Sequence, residues 1–339
     1  MTTRPTFLKE SQHFNKDLTI LKRKKGIKIV DIYSLQVKEL FEVKNPGKKF
    51  KGKPKIDSGE WVFYPWSNIL LHTLSEKEND LLRTNRNRDI ITQEEQERLR
   101  NFTIVIAGLS VGGNIAMTLV YNGISKHLKL ADFDILETTN LNRVRGKLSD
   151  IGEAKIDIIN KQLYELDPYI KITNFNKGLD GKNVKDFLKD ANLVFEIIDD
   201  LKLKILIRKE AQKHKIPLVM LTSIGDSVMI DVERYDLDPQ TKVFNGLVDE
   251  RVVEDILQDR FSKAEMNKYV VRIVGVQNIP PRVMKSVKQI GKTLSGRPQL
   301  MSTVTVAAGL ACFIAKRIAL GDQVLSGRKI CKFEDIISR

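Results

Sequence analysis

Short apolar runs and amphipathic runs alternate through the central part of the chain. Five short apolar runs predict strands, at 102–108, 128–134, 170–176, 191–199 and 217–224. Four runs with apolar residues at helical spacing lie between them, at 114–123, 153–166, 182–190 and 202–215. Strands and helices that alternate at these lengths are typical of a parallel sheet, because each crossover helix packs on one face of it. The pattern therefore predicts an α/β fold with a Rossmann-like, doubly wound, mostly parallel sheet.

Two less regular regions flank this central part. Before it, a short strand and a helix at 26–45, a loop rich in Lys, Gly and Pro at 45–59 and an aromatic, strand-like stretch at 60–75 predict a small α+β module. After it, the rhythm gives way to a mixed C-terminal extension that ends in an apolar helix at 301–321. We therefore expect a basic N-terminal module or substrate clamp over 1–80 and a main domain over 81–339.

The net charge of +14 lies mainly in the N-terminal module. Residues 1–55 contain 15 Lys and Arg against 5 Asp and Glu, which leaves four net positive charges for the rest of the chain. A basic chain can bind nucleic acid or an anionic membrane. Because the charge is confined to one segment, a solvated basic surface is the favoured interpretation, and a nucleic-acid or acidic partner stays an open alternative.

The cysteines and the apolar runs predict a protein of the cytoplasm. Cys312 and Cys331 have no Cys-x-x-Cys spacing, so the sequence predicts neither a disulfide framework nor a cysteine zinc site. The first ten residues lack the apolar stretch of a secretory signal, and the apolar run VAAGLACFIA is too short to cross a bilayer. We expect a soluble protein without a membrane partner.

A glycine-bearing turn follows the first strand of the central part. In GLSVGG, Gly108 and Gly113 hold the first and last places of a G-x-G-x-x-G turn, Gly112 lies beside them, and Ser110 replaces the middle glycine. Such a turn binds a pyrophosphate at the start of a helix, and its middle glycine lets the backbone approach closely. Because serine hinders that approach, nucleotide binding and a plain tight turn both remain open.

Two acidic residues end the next strand. Asp132 and Asp134, in ADFD, lie on the same side of an extended chain. A carboxylate at this position can accept hydrogen bonds from both ribose hydroxyls, and a dinucleotide cofactor requires only one such acid. These features leave a redox dinucleotide and ATP as alternative ligands.

The segments that follow favour ATP. DFDILETTNLNRVRG, DIGEAK, ELDPYIKITNF, FEIIDD and KIPLVMLTS occur in this order. Together they resemble the adenylating superfamily of ThiF, MoeB and HesA proteins and ubiquitin-activating enzymes, over about residues 86–235. The stretch RPQLMSTVTVAAGLACFIAKRIALG is a weaker match to the closing helix of that family. The glycine turn and the leader RTNRNRDIITQEEQ are most similar to bacterial ThiF-type proteins of unassigned substrate.

The resemblance implies a site for ATP and Mg²⁺. It assigns ribose binding to Asp132 and phosphate contacts to Arg143 and Lys155. It assigns Mg²⁺ to Asp199, with Glu196 in the place of another acid of the family. Such cations would stabilise the charge that develops on phosphorus, and the metal would orient the leaving pyrophosphate. Plainer alternatives are solvated surface cations for Arg143 and Lys155 and a helix cap for Asp199.

The remaining assignments from the resemblance concern loops around this site. Asn140 and Asn142 are expected to shape the loop that ends at Arg143, and Asp134 lies either in the pocket or in a turn contact. Family members often borrow an arginine from the neighbouring subunit. The leader contains three arginines, and we assign this role to Arg86. A borrowed arginine requires a homodimer.

The expected reaction stops at an acyl-adenylate or passes the acyl group on to an external nucleophile. No cysteine lies between residues 225 and 310, where the family's catalytic cysteine would be expected. A substrate carboxylate is already ionised at neutral pH, so it can attack the α-phosphate without a general base. The resemblance implies that this carboxylate is the C-terminus of a ubiquitin-like or sulfur-carrier protein or of a peptide, with a small acid as an alternative.

Two other functions are compatible with parts of the sequence. An NAD- or FAD-dependent oxidoreductase could use the same glycine turn, but it would leave the NLNR and IG..K segments without a role. A catalytically inactive nucleotide-binding scaffold could retain the fold, with Ser110 and Glu196 as signs of an altered site.

Overall fold

The structure is a computed structural model that describes residues 3–10, 13–53 and 58–337. Within these residues the strands form one sheet of four strands and one of seven. The four strands of the smaller sheet are β1 (Thr6–Phe7), β2 (Lys28–Asp31), β3 (Glu60–Tyr64) and β4 (Ile69–Thr73). The larger sheet comprises β5 (Ile104–Ala107), β6 (His127–Ala131), β7 (Lys171–Phe175), β8 (Leu193–Glu196), β9 (Leu218–Ser223), β10 (Ser227–Glu233) and β11 (Gly327–Lys332).

Helices lie before, between and after these strands. The N-terminal half contains α1 (Phe14–Arg23), α2 (Tyr33–Lys44), α3 (Glu76–Arg83), α4 (Gln93–Arg100), α5 (Gly112–Tyr121) and α6 (Lys155–Leu166). The C-terminal half contains α7 (Val184–Leu188), α8 (Leu201–Lys213), α9 (Glu250–Leu257), α10 (Lys263–Val274), α11 (Pro281–Val287), α12 (Met301–Leu320) and α13 (Glu334–Ile337). The strands and helices predicted for the central part are confirmed, with ends that differ by a few residues.

The larger sheet is doubly wound, as the sequence predicts. Its order is β11-β10-β9-β8-β5-β6-β7, and the five strands from β9 to β7 are parallel. Residues of α5, α6 and α12, such as Ile115, Ile159 and Ala308, pack on one face. Residues of α7 and α8, such as Phe187 and Ile207, pack on the other face. The antiparallel strands β10 and β11 extend one edge, and β11 comes from the C-terminal extension.

The long apolar helix α12 belongs to the core of the main domain. In the part of the chain that the structure describes, it is the one helix long and apolar enough to cross a membrane. Its buried residues Val304, Ala307, Ala311 and Ala315 join the cluster beneath the sheet. It ends at Gly321, which adopts a left-handed conformation with φ +83° that glycine tolerates without strain. Packing in the core therefore accounts for its apolar composition.

The N-terminal module packs on the main domain through aromatic residues. The smaller sheet has the order β1-β3-β4-β2, with β2 parallel to β4. Tyr64 donates a hydrogen bond to the carbonyl of Tyr164 at 3.1 Å, and the indole N–H of Trp66 donates to Glu165 at 2.7 Å. Val62 and Tyr64 also join the core beneath the larger sheet. The small α+β module is thus confirmed, and it shares apolar core with the main domain.

A fully buried ion network lies at the end of β8. Arg208 of α8 forms salt bridges with Glu196 at 2.6 Å and with Glu233 of β10 at 2.8 Å. The hydroxyl of Tyr235 and the backbone N–H of Phe244 donate to Glu233 at 2.9 and 2.6 Å. Burial raises the pKa of Glu233, and Arg208 is the strongest influence in the opposite direction. The guanidinium of Arg208 therefore bridges two buried carboxylates, and Lys204 lies 2.8 Å from Glu196 as a second cation.

The Arg208→Met variant should be strongly destabilised. It leaves Glu233 in the core without its cation and Glu196 with Lys204 alone, and breaking a buried pair in this way costs about 3–5 kcal/mol. Without Arg208 the folded-state pKa of Glu233 lies further above its unfolded value, so the stability deficit should be smallest at acidic pH and should grow as pH rises. Urea unfolding at several pH values measures both effects.

A matched control is Arg251→Met, on the exposed surface of α9. Its free energy of unfolding should stay within about 0.5 kcal/mol of the wild-type value. An Arg208→Met protein as stable as this control at pH 8 would contradict the role given to the network.

Candidate functional site

The carboxyl ends of β5, β8 and β9 form a crevice where the strand order reverses. The chain runs outward from β5 through β6 to β7 and then returns to place β8 on the other side of β5. Ligands of open parallel sheets bind at such a switch point. A cavity of about 160 Å³ lies there, between the residues that follow β5 and β8, the end of β9 and helix α10. We call it the crevice cavity.

Each glycine of the turn after β5 has a packing reason. Gly108 has φ +88°, and a Cβ at this position would lie 2.5 Å from the carbonyl oxygen of Ile197. Gly112 and Gly113 begin α5, and a Cβ on either would press into core side chains. Ser110 is not among the residues with positive φ, and it lines the crevice cavity. A side chain at the place of the middle glycine is therefore compatible with the turn.

At the start of α5, the N–H groups of Gly113 and Asn114 donate to the carbonyls of Leu109 and Val111. Among the described residues, no hydrogen-bond acceptor contacts the N–H groups of Val111 and Gly112. Val111, at the N-cap position, has no side-chain hydrogen bond to the helix, and both Ser110 and Val111 line the cavity. The first N–H groups of a helix lack partners within the helix and carry partial positive charge. This arrangement favours phosphate at the start of α5.

Asp132 joins the glycine turn to the end of β6. Its Oδ2 accepts the N–H of Leu109 at 2.6 Å, and its Oδ1 accepts the N–H of Asp134 at 2.8 Å. Burial raises the pKa of Asp132, and these two hydrogen bonds oppose the rise. Each carboxylate oxygen has further lone-pair positions. The side chain therefore shapes the turn and retains the capacity to accept hydrogen bonds from hydroxyls.

Lys155 and Asp134 form a pair beside Asp132. The Nζ of Lys155 lies 2.8 Å from Oδ2 of Asp134, and the Lys155 N–H donates to the Asp134 carbonyl at 2.9 Å. Lys155 is only 5% exposed, so the alternative that it is a solvated surface cation is wrong. Neither residue lies in the lining of the crevice cavity, and Asp132 is also absent from it. Asp134 thus makes a turn contact that also holds the lysine at the end of β6.

The loop that ends at Arg143 is held by the two asparagines. Asn140 is buried, and its Oδ1 accepts the N–H of Glu137 at 3.3 Å. Asn142 accepts a hydrogen bond from Nη1 of Arg143 at 2.9 Å and donates to the carbonyl of Gln299 at 2.7 Å. The guanidinium of Arg143 lines the crevice cavity, and its buried Nε has no partner.

Asp199 is the acid that faces the crevice cavity. Its side chain is 90% exposed, and Oδ1 lies 2.5 Å from Nη2 of Arg297. The neighbouring Asp200, not Asp199, caps α8 by accepting the N–H of Leu203 at 2.7 Å. The helix-cap alternative for Asp199 is therefore wrong.

Glu196 cannot take the place of a second metal-binding acid. It is fully buried, its oxygens are paired with Arg208 at 2.6 Å and Lys204 at 2.8 Å, and these cations outweigh burial and lower its pKa. The resemblance sets Glu196 in the place of the first acid of the D-x-x-D segment and assigns the metal to Asp199 alone. Glu196 serves the folded core instead.

Arg86 lies on a different face of the molecule. It is exposed, and it borders a cavity formed by α5, α12 and the segment before α4, together with Ile90 and Phe313. The described residues of one chain therefore do not bring Arg86 into the crevice cavity.

Three residues of the crevice cavity carry polar atoms without hydrogen-bond partners. These atoms are Nε of Arg143, Oγ of Ser223 and Oε1 of Gln299. Buried polar groups are nearly always satisfied by protein, water or ligand. Their convergence on one cavity indicates a site shaped for a polar ligand.

Several residues of this cavity were not predicted. Arg297, Gln299 and Ser223 line it, as does Lys204, which reaches from α8 to Glu196. Arg297 and Gln299 belong to the irregular extension, where the sequence offers no periodic pattern. A basic residue among SGRPQL, just before the apolar helix, is the only signal that could have drawn attention to Arg297.

The residues at the crevice fit Mg²⁺ together with a nucleotide better than Mg²⁺ alone. In the described parts of the chain, no group of three His, Cys, Asp or Glu side chains is placed to hold a metal. Mg²⁺ often uses one or two carboxylates and completes its shell with phosphates and water. Asp199 can supply such a carboxylate, and the unpartnered Arg143 Nε and the start of α5 can receive phosphate oxygens.

A larger cavity, of about 520 Å³, lies between the end of α2 and helices α3 and α4. Four of its charged side chains already neutralise one another: Lys126 lies 2.7 Å from Asp80 and 2.6 Å from Asp167, and Arg100 lies 2.8 Å from Asp80. Size alone therefore does not make it the candidate site.

The sequence model of the ThiF family matches residues 83–332 of this chain, and these residues include every element around the crevice. The chain belongs to the ThiF family. Its fold and the resemblance drawn from DFD, NLNR and the following segments are thus confirmed.

Curated relatives agree with this family. The uncharacterized protein MT1398 of Mycobacterium tuberculosis is 35% identical over 272 residues, which cover 80% of this chain and 38% of the relative. The tRNA threonylcarbamoyladenosine dehydratase of Bacillus subtilis is 28% identical over 155 residues, or 45% of this chain and 60% of that protein. The molybdopterin-synthase adenylyltransferase of Haemophilus influenzae is 25% identical over 217 residues, 62% of this chain and 86% of that one. The chain thus spans about two fifths of the length of MT1398 and about three fifths of the length of the dehydratase.

Solved structures show the same fold. PaaA has a TM-score of 0.57 and 18% identity, with 77% of this chain and 82% of that chain covered. MccB of Escherichia coli, solved with AMPCPP and MccA, has a TM-score of 0.51 and 17% identity, with 71% and 63% covered. At this level of identity the likeness concerns the fold of the chain.

Proposed function

We propose that this protein uses Mg·ATP to adenylate the C-terminal carboxylate of a small ubiquitin-like or sulfur-carrier protein or of a peptide. The observation that carries the proposal is the convergence of Arg143, Asp199 and the open N-terminus of α5 on one cavity at the switch point of the sheet. The ThiF family includes adenylyltransferases among the relatives named above. MccB, which shares the fold, was solved with an ATP analogue and MccA.

Each residue of the site has a role in this reaction. Asp132 would accept the ribose hydroxyls, and Arg143 and Lys155 would bind and neutralise phosphate oxygens. Asp199 would hold Mg²⁺, which supplies charge neutralisation and orients the departing pyrophosphate. An oxygen of the substrate carboxylate attacks the α-phosphorus, the bond to the bridging oxygen of the β-phosphate breaks, and pyrophosphate leaves with that electron pair. The product is a mixed carboxylic–phosphoric anhydride.

The chemistry ends at this anhydride or passes to an external nucleophile. Burial raises the pKa of Cys312 to about 12, and the thiol lies inside α12. Cys331 lies within β11, beside β10. Neither position combines the exposure and positive surroundings that a reactive thiolate requires. Two free thiols agree with a reducing compartment, and we place the protein in the cytoplasm.

The central prediction concerns ATP–pyrophosphate exchange with candidate peptides that carry a free C-terminus. Asp199→Asn keeps the size of the side chain but removes the charge for Mg²⁺, and Arg143→Ala removes a phosphate contact. Each should lower the exchange rate by about 100-fold or more, the effect of losing one preorganised charge contact at a transition state. The exposed Asp186→Asn on α7 is the matched control and should retain wild-type exchange.

The rival functions give different outcomes in the same experiments. Wild-type exchange in both site variants would contradict the assignment of the site. Tight binding of NAD or FAD with indifference to Mg²⁺ would support an oxidoreductase instead. Mg·ATP binding without exchange for any carboxylate would favour a scaffold.

We further propose that Arg86 acts in the site of a second copy of this chain. Within one chain it faces a cavity of about 370 Å³ rather than the crevice. Apolar side chains around it are exposed, with Ile90 at 75% and Phe313 at 53%. An exposed apolar surface next to an unassigned arginine is what a two-fold interface would cover.

Mixed dimers test this arrangement. Arg86→Ala and Asp199→Asn chains should each be inactive in pyrophosphate exchange when expressed alone. Co-expressed chains should recover up to about a quarter of wild-type activity, because half of randomly paired dimers contain one site with Asp199 from one chain and Arg86 from the other. No recovery, or a monomeric wild-type protein by sedimentation, would contradict a shared site.

The N-terminal module is proposed to hold the substrate chain at the free edge of β2. Lys28 and Ile32 donate their N–H groups to Asn68 and His72 on the β4 side. Because donors alternate along a strand, the N–H of Ile29 points away from β4. An extended peptide can add to such an edge through main-chain hydrogen bonds. The basic residues before β2, in LKRKK, would favour an acidic peptide.

Proline at position 29 tests the edge. Ile29→Pro removes the outward N–H without removing a hydrogen bond to β4, whereas Ile29→Ala retains that N–H after a similar loss of side chain. Affinity for a peptide that supports exchange, measured by calorimetry, should fall about tenfold in the proline variant relative to the alanine variant. Equal affinities would show that the peptide does not bind at this edge.

A further inference from the structure

The segment between α11 and α12 spans the mouth of the crevice cavity. Arg297 donates from Nη2 to Oδ1 of Asp199 at 2.5 Å, after β8. Two residues later, the Gln299 carbonyl accepts the N–H of the Asn142 side chain at 2.7 Å. This short stretch therefore connects the acid after β8 with the loop that carries Arg143. We call residues 291–300 the strap.

The strap leaves too little room for a nucleotide. The crevice cavity measures about 160 Å³, whereas sites for ligands of drug size occupy about 300–1,000 Å³. The other walls are strand ends and helices with side chains in the cores of the domain, such as Met220 and Ile273, and the loop of Arg143, which contains the buried Asn140. Residues 291–298 of the strap are all exposed. Of these walls, the strap is the one that can move without loss of core packing.

The charges around Asp199 also point to an exchange of partners. Burial is the main cause that lowers the pKa of Arg143; Asp199 opposes the shift and Arg297 adds to it. The guanidinium groups of Arg143 and Arg297 thus influence each other electrostatically. Asp199 is paired with Arg297, and the Nε of Arg143 has no hydrogen-bond partner. A phosphate group would supply the missing negative charge to both guanidinium groups and satisfy them with charge-assisted hydrogen bonds.

We propose that Arg297 is a nucleotide-binding residue that changes partners when Mg·ATP enters. Without nucleotide it pairs with Asp199, which keeps the strap closed and the carboxylate neutralised. On binding, Arg297 turns to a phosphate oxygen, the strap opens, and Asp199 is released to Mg²⁺. This inference rests on the proposed binding of Mg·ATP at the crevice, and it adds Arg297 to the residues that the family resemblance assigns.

The exchange predicts opposite effects of one variant on two forms of the nucleotide. In Asp199→Asn, Arg297 loses its competing partner, so ATP in the presence of EDTA should bind about 2- to 5-fold more tightly than to the wild type, the scale of one exposed charge pair. Mg·ATP should bind more weakly, because the carboxylate for the metal is gone. Equilibrium binding of ATP, measured by calorimetry, gives both constants without reference to catalysis.

Double variants separate this exchange from a simple loss of negative charge. Asp199→Asn with Arg297→Ala should lose the gain for metal-free ATP, and Asp199→Asn with Arg297→Lys should retain most of it. The matched control is Asp249→Asn, which breaks another exposed Asp–Arg pair, with Arg272 at 3.5 Å. It should leave both binding constants unchanged.

Two results would overturn the proposal. One is equal affinity of wild type and Asp199→Asn for metal-free ATP. The other is a gain that persists in the Asp199→Asn, Arg297→Ala double variant, since repulsion by the carboxylate alone would then explain it. If the wild-type protein binds Mg·ATP and either result is obtained, the exchange of partners is refuted, but the proposed adenylation is not. A wild-type protein that does not bind Mg·ATP at all refutes both.

Discussion

The two hydrogen bonds accepted by the carboxylate of Asp132 determine the shape of the candidate site. One fixes the turn between β5 and α5 through the N–H of Leu109, and the other fixes the chain after β6 through the N–H of Asp134. The first bond sets where α5 starts, and the second sets Asp134, whose backbone and side chain both contact Lys155. A single buried acid therefore aligns the helix N-terminus and the lysine. Loss of the first bond would leave the buried N–H of Leu109 without a partner, which folded proteins rarely tolerate.

The sequence predicted the sheet and much of the crevice because both depend on local pattern. Apolar runs separated by amphipathic helices specify parallel strands, and residues that follow such strands meet at one edge. Of the predicted residues, Ser110, Arg143 and Asp199 line the crevice cavity, whereas Asp132 lies outside its lining. The structure adds the reason for Gly108, whose missing Cβ leaves space for the carbonyl of Ile197.

Contacts between distant segments could not be predicted in this way. Arg297 and Asp199 are 98 residues apart in the chain, and Arg297 comes from a stretch without helical or strand periodicity. The partners of Glu196 were equally hidden, because its pairing with Arg208 and Lys204 depends on how α8 packs against β8. The sequence also could not decide which of two neighbouring aspartates caps α8. Asp200 forms the cap, and Asp199 lines the crevice cavity.

The two acids near the end of β8 differ in environment, and this difference limits how the crevice can hold a metal. Glu196 points into the core and is neutralised by Arg208 and Lys204, whereas Asp199 lies outside the strand and is 90% exposed. A single exposed carboxylate binds Mg²⁺ weakly, because the ion gives up its water reluctantly. Under the proposed function, phosphates must then supply further ligands, and the metal must offset the repulsion between Asp199 and the triphosphate. Metal and nucleotide would thus each strengthen the binding of the other, as reciprocal linkage requires. When no metal is bound, the guanidinium of Arg297 is the positive group that neutralises Asp199.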